Sequence, residues 1–386
     1  MFDLTEKLFY KDAYIKEFDA VVIDCQPKGD NFLIELDKTC FYPEGGGQNA
    51  DIGMIDEAII SDVHEKDGVI LHTADRPLEV GSSVHGKIDW LHRFSLMQHH
   101  TGEHIVSGIV NKLFGFDNVG FHMGSAMVTV DFNGELKPED IEKVELLANR
   151  AVFENIEVTA DYPDAETLKA MSYRSKKELS GEVRIVTVPG SDRCACCGTH
   201  VAKTGEIGLI KLLSPQRYKG GVRIGMLCGE RALADYRQKD RDTADISHLL
   251  SAKQHEVTAA VKRVMDEAES LKAQLSAANA RLFDYIIAGL DKSDKAVCVF
   301  VDGVTPNDLR KFGTLAAAAR DGFTAVFCGD DQNGYRYAVS VKDGDARAFS
   351  KEMHAALGGK GGGNNQMVQG NVAAAKSDIE KYFSTF

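Results

Sequence analysis

Two short strings constrain this chain more than anything else in it: His100-Thr101-Gly102-Glu103-His104 and Cys196-Cys197-Gly198-Thr199-His200. Each holds two metal-binding side chains four residues apart. In a helix that spacing puts both imidazoles of the first string on one face, about 6 Å apart and within reach of one ion. The second string offers a thiol and an imidazole in a glycine-containing loop ahead of a strand. The strings lie far apart in sequence, so only the fold can join them. Joined, they give three imidazoles and one thiolate, a set suited to zinc. Four closed ligands make a structural site, whereas a position open to water or substrate makes a catalytic one. Spacing does not separate these two. His99, Cys194 and Cys197 compete as ligands, and a cysteine redox centre over 194–197 is the other use of the thiols.

Three of the eight cysteines crowd into 194–197 and the rest are scattered. That pattern speaks for a reducing, cytoplasmic setting rather than a disulfide frame. No run of about 18 uncharged apolar residues is present, so no membrane span is expected. The first residues lack the apolar core of a signal peptide. A net charge of −13 argues against a polycation that coats nucleic acid non-specifically, while leaving room for a local basic patch.

Periodicity and turn residues predict an α+β protein in four parts. Residues 1–90 read as a glycine-rich β-barrel with strands at 20–24, 32–36, 53–60 and 69–72. Residues 91–240 read as a metal-binding α+β part. Its helices span 95–114 and 138–155, and its strands span 127–132, 183–188, 207–213 and 221–228. Residues 241–285 form a helical, coiled-coil-like linker, because no glycine falls between Gly229 and Gly289. Val257, Val261, Val264, Ala268, Leu271, Leu275, Ala278 and Leu282 recur there in alternating steps of four and three, a heptad seam. Such a seam predicts a dimer or a hairpin, the alternative being a helix packed on its own domain. Residues 286–386 read as an α/β unit holding the run Gly358-Gly359-Lys360-Gly361-Gly362-Gly363.

Two further strings are unusual. In Glu44-Gly45-Gly46-Gly47-Gln48-Asn49-Ala50-Asp51 the glycines let the backbone approach a ligand, with Gln48 and Asp51 presenting an amide and a carboxylate. A tight barrel turn explains the same residues. The cluster Arg217, Lys219 and Arg223 is suited to phosphate, as is Lys360 beside the backbone of Gly361 and Gly362. Arg174, Lys176 and Lys177 read better as a charged surface loop.

These strings in this order, with Thr204-Gly205-Glu206-Ile207-Gly208 after them, resemble the editing half of alanyl-tRNA synthetase. The glycine run resembles the signature of that enzyme's C-terminal domain. The arrangement as a whole resembles the free-standing alanyl-tRNA editing proteins in their long form. The resemblance implies a hydrolase that removes mischarged serine, and glycine as a second substrate, from alanine tRNA. It implies zinc on His100, His104, Cys196 and His200, and places Gln48 near the substrate amino acid, with Asp51 and His122 as further substrate-side candidates. It makes 91–240 the editing domain and 286–386 a tRNA-contacting or dimerising domain. It leaves no aminoacylation core, so no charging activity is expected. An RNA-binding protein with a structural zinc is the alternative. The chain departs from the family at Cys197, where a glycine is usual. It also has Asn364-Asn365-Gln366 in place of a basic, proline-containing stretch. At the position where some members carry a hydroxyl, it has Phe121 or His122.

Overall fold

The computed structural model describes residues 4–124, 126–175 and 182–386. The chain forms two compact units, Met1–Asp242 and Thr243–Phe386. Lys176 and Lys177 lie outside the described residues.

In the first unit the strands Glu17–Lys28, Asn31–Leu36, Gly53–Ile55, Ala58–Lys66, Val69–Ala74 and Ser83–Ile88 close into a barrel. Strict alternation drives the closure: Phe18, Ala20 and Val22 point inward from the first strand, Val84 and Ile88 from the last. The single strand expected at 53–60 is a two-stranded hairpin. Its turn uses Asp56 at φ +48°, a left-handed position that aspartate tolerates and that no glycine marks in the sequence.

The helix Trp90–Phe114 follows, starting five residues earlier than expected. Asp89 caps it by accepting from the His92 amide at 3.0 Å, and Gly115 ends it at φ +71°. One face packs on a sheet in the order 210–212, 221–228, 128–132, 118–123, with Gln216–Tyr218 also on the 221–228 strand. Another face meets the strand Asp192–Ala195 of a smaller sheet that includes Thr159–Asp161 and Ile185–Val188. The helix Pro138–Phe153 packs alongside. Ile105, Val106, Val110, Val130, Ile224 and Met226 fill the shared core.

The helical linker expected over 241–285 falls in two helices, Gly229–Leu249 and Val257–Ala288. The boundary expected at 240/241 falls inside the first. Neither glycine nor proline marks the break. Ser251 turns at φ +48°, and the Ser247 hydroxyl donates to the Ala252 carbonyl. The second helix runs past the expected boundary at 285/286. Phe283 and Ile287, near its end, are buried with Leu309 and Phe312 of the helix Pro306–Ala319. Most of the heptad seam is exposed, with Val264, Leu271, Leu275 and Leu282 between 47% and 56% accessible. Among the described residues the seam therefore closes no hairpin.

The rest of the second unit is a five-stranded sheet in the order 296–300, 323–330, 334–340, 367–372, 359–363, covered by helices Pro306–Ala319, Ala346–Leu357 and Lys376–Phe383. The glycine run forms an edge strand, Gly359–Gly363, paired with Met367–Val372. Its glycines have a packing reason. A Cβ on Gly361 would lie 2.5 Å from the Tyr337 hydroxyl, and one on Gly359 would lie 2.7 Å from the His354 ring. Among the described residues, no helix is long and apolar enough to cross a membrane.

Candidate metal centre

The two strings that opened the sequence reading meet. Nitrogen atoms of His100, His104 and His200 and the Cys196 sulfur all lie within 4.8 Å of one another. The Cys196 Sγ is 3.3 Å from His100 Nε2 and 3.5 Å from His200 Nε2. Zinc bound tetrahedrally at about 2.05 Å to nitrogen and 2.3 Å to sulfur requires nitrogen–sulfur edges of about 3.5 Å. The donor set therefore fits that ion in kind and in spacing.

The outer nitrogens of His100 and His200 are hydrogen-bonded, and that of His104 lies at ion-pair distance from a carboxylate, which together favour Nε2 facing inward. His100 Nδ1 donates to Gln48 Oε1 at 2.8 Å, an oxygen that also accepts from the Thr199 amide at 3.1 Å. The Thr101 hydroxyl donates to the Met97 carbonyl at 2.9 Å, so toward His200 Nδ1, at 3.1 Å, it accepts. His104 Nδ1 lies 3.1 Å from Asp192 Oδ2. The arrangement thus favours the outer proton at Nδ1 and Nε2 toward the centre on all three rings. Glu103, between two of the histidines, accepts from the Ser107 hydroxyl at 2.6 Å and from the Asn118 amide.

Electrostatics agree with a ligand thiolate. Burial pushes the Cys196 thiol up, but the imidazoles of His100 and His104 outweigh it and hold the thiol well below its ordinary value. Burial and the His100 charge pull His200 down to about 3. Burial opposes protonation of His104, yet the Cys196 thiolate and the Asp192 carboxylate hold it well above its ordinary value.

His99 and Cys197 fall outside the grouped donors, whereas Cys194 shares a second group with His104 and Asp192, its ligand atoms also within 4.8 Å of one another. His99 points elsewhere: Nδ1 donates to the Ser95 carbonyl at 2.7 Å, and Nε2 accepts from the Cys228 amide at 3.0 Å. Cys197 is exposed. Cys194 is buried near His104 and Asp192, and burial raises its thiol. All eight cysteines are free thiols in this structure.

The structure places the three substrate-side candidates in different surroundings. Gln48 reaches the centre, but it is wholly buried and spent on His100 and Thr199, with its Nε2 donating to Thr199 Oγ1 at 2.8 Å. Asp51 faces the buried Arg93 guanidinium and accepts from the Tyr42 amide at 2.6 Å, so it is a structural carboxylate. His122 is exposed on the strand Asn118–Met123, and alternation turns its neighbour Phe121 inward, with its ring 5.3 Å from that of His100. Phe121 also explains one glycine, because a Cβ on Gly47 would lie 2.7 Å from its ring.

The basic residues divide similarly. Arg217, Lys219 and Lys360 are exposed. Arg223 forks onto Asp131 at 2.6 and 2.7 Å and stacks over Tyr218 at 3.7 Å, so its charge is committed. Arg174 forks onto Asp192 at 2.7 and 2.8 Å and does not belong to a surface loop. Sequence reasoning missed Asp192, Thr101, Thr199 and Arg184, whose Nη1 donates to the carbonyls of Cys196 and Gly198, each at 2.9 Å. A signal for Asp192 existed. It and Cys196 are four apart across a short strand, a spacing that returns side chains to one face.

Two segments of the chain match models of synthetase-associated domains. Residues 183–224 match the threonyl and alanyl tRNA synthetase second additional domain, and residues 6–92 match the class II (A) tRNA synthetases. Among individual relatives, the alanyl-tRNA editing protein AlaX-L of Pyrococcus horikoshii is 28% identical over 97% of this chain and 96% of that one. The chain resembles the long form of the free-standing alanyl-tRNA editing proteins from end to end. The alanine–tRNA ligase of Ignicoccus hospitalis is 32% identical over 98% of this chain but only 42% of its own length, so the chain spans about two fifths of such ligases. The C-Ala domain of Aquifex aeolicus alanyl-tRNA synthetase aligns with 24% of this chain and 90% of that chain, at 15% identity and a TM-score of 0.21.

Proposed function

We propose that this protein is an aminoacyl-tRNA deacylase that hydrolyses the ester of alanine tRNA mischarged with serine, and secondarily with glycine. The observation that carries the reading is the convergence of His100, His104, Cys196 and His200 in a chain similar over its whole length to an alanyl-tRNA editing protein. These four residues would hold zinc, which when bound supplies positive charge beside the ester carbonyl and the attacking water. The chain's own groups do the rest. Gln48, Thr101 and Asp192 hold the outer imidazole protons and so fix the three Nε2 atoms. Arg184 clamps the loop that carries Cys196 and His200. Phe121, against Gly47, makes an apolar wall beside His100 that excludes water from one side.

Accepting serine while sparing alanine requires a polar group that alanine leaves unpaired. Gln48, committed to His100 and Thr199, bears on that task only by orienting the His100 ring beside the substrate. Exposed Arg217, Lys219 and Lys360 are the cations offered to tRNA phosphates. The exposed seam over 257–282 supports pairing of two copies, which light scattering tests.

The direct test is hydrolysis of serine-charged alanine tRNA, with alanine-charged tRNA as control, before and after metal removal. Metal-dependent loss of serine with alanine spared is expected. A folded, zinc-loaded protein that releases neither amino acid refutes the proposal. One observation favours a second reading: four protein donors already complete a tetrahedron, as in zinc sites that only hold a fold. An RNA-binding protein of that kind unfolds on chelation, whereas the deacylase keeps its fold and loses hydrolysis.

A further inference from the structure

We propose that Asp192 is the positioning residue that governs metal retention, acting through His104; the inference rests on the metal reading above. Three groups hold the outer nitrogens of the three imidazoles, and they are not equivalent. Gln48 offers an amide oxygen to His100 and Thr101 a hydroxyl to His200, both neutral. Asp192 offers His104 a carboxylate, with Oδ2 3.1 Å from Nδ1 and its side chain only 2% exposed. A carboxylate on the outer nitrogen fixes the tautomer and makes Nε2 a stronger donor, which a neutral acceptor does to a lesser extent. His104 is therefore the imidazole whose donor strength a charged group sets.

The surrounding structure is built to hold that carboxylate. The Arg174 guanidinium takes both of its oxygens, at 2.7 and 2.8 Å, and so fixes its plane. The strand Asp192–Ala195 leads directly into Cys196, and its alternation turns Asp192 and Cys194 inward. One turn beyond His104 the helix carries Gly108. A Cβ there would lie 2.3 Å from the Ser191 carbonyl oxygen and 2.8 Å from the Asp192 Cβ. Any side chain at 108 pushes the strand away, so the glycine is what admits Asp192 to within reach of His104. The charge, the fork and the glycine gap are three separate features that serve one contact.

The test compares the full-length protein with Asp192→Asn and Arg174→Gln. Zinc affinity is measured by competition with a chromophoric chelator, the geometry by the visible spectrum of the cobalt-substituted protein, and folding by circular dichroism of the metal-free forms. Asp192→Asn is expected to bind zinc about 10–100-fold more weakly and to shift the cobalt bands while remaining folded. Hydrolysis should return at saturating zinc. Arg174→Gln, which keeps the carboxylate but frees its plane, is expected to lose less affinity, in the same direction. A folded Asp192→Asn with wild-type zinc affinity and an unchanged cobalt spectrum overturns the inference. If Asp192→Asn does not fold, an Arg174→Gln with wild-type affinity overturns it equally. A wild-type protein that takes up no zinc overturns the metal reading itself, a result distinct from either.

Discussion

Asp51→Asn tests whether this carboxylate serves the fold or the substrate. Arg93 and Asp51 are both wholly buried. Arg93 Nε donates to Asp51 at 2.8 Å, Nη1 to the Ala13 carbonyl at 3.0 Å, and Nη2 to the Cys40 carbonyl at 2.6 Å and again to Asp51. Asparagine keeps one oxygen but turns an amide NH₂ toward the guanidinium and leaves its charge uncompensated. Removing one partner of a buried ion pair costs about 3–5 kcal/mol. Loss of two hydrogen bonds to charged groups, at about 1.5–3 kcal/mol each, gives the same size. In a unit of this length about 1 kcal/mol moves the melting temperature by roughly 2–4 °C, so a fall of roughly 6–20 °C is expected. The assay is thermal unfolding of the wild type, Asp51→Asn, Arg93→Met and the double variant. The double variant should be more stable than Asp51→Asn, because it leaves no orphaned cation. A melting temperature within about 2 °C of wild type, together with lost hydrolysis, would refute the structural assignment and return Asp51 to the substrate.

Three other outcomes are expected. His104→Ala should carry almost no zinc and hydrolyse no serine ester while the second unit keeps its secondary structure; metal analysis and circular dichroism check this. A chain ending at Ala252 should retain hydrolysis but bind alanine tRNA roughly tenfold more weakly with a shallower salt dependence, as filter binding would show. Stability should also fall on acidification through His72. Burial lowers this histidine from 6.5 to about 4, and it is neutral in the fold, with Nδ1 donating to the Ile34 carbonyl and Nε2 accepting from Thr39. The unfolded chain binds the proton first, so stability is full above about pH 6.5 and is lost down to about pH 4, by up to about 3 kcal/mol. Denaturant titrations across that range should show the loss, and His72→Gln should flatten it.

The metal helix and the strand Gly221–Cys228 were legible because apolar spacing and end signals agree there. What the sequence hid has one physical cause: left-handed turns made without glycine. Asp56 splits one strand into two and Ser251 splits one helix into two, and neither residue type marks a turn by itself. In the site, the four donors stood out through their spacing. Gln48 and Asp51 were visible as unusual residues, yet their roles depend on partners, His100 and Arg93, that no local pattern names. Asp192 and Arg174 were obscured for the same reason, since an ion pair across 18 residues has no signature in either neighbourhood.

The barrel and the sheet of the second unit end differently, and this bears on how the protein behaves when concentrated. The barrel closes on itself and offers no open edge. The sheet of the second unit ends on Gly359–Gly363, an outer strand whose residues beyond Gly359 are exposed and whose only side chain longer than a hydrogen is Lys360. A flat outer strand with one charge is a template on which another chain can add, and lysine is the usual guard against it. Lys360 is therefore the guard of this edge: Lys360→Val should leave the fold intact and lower the concentration at which the protein begins to aggregate.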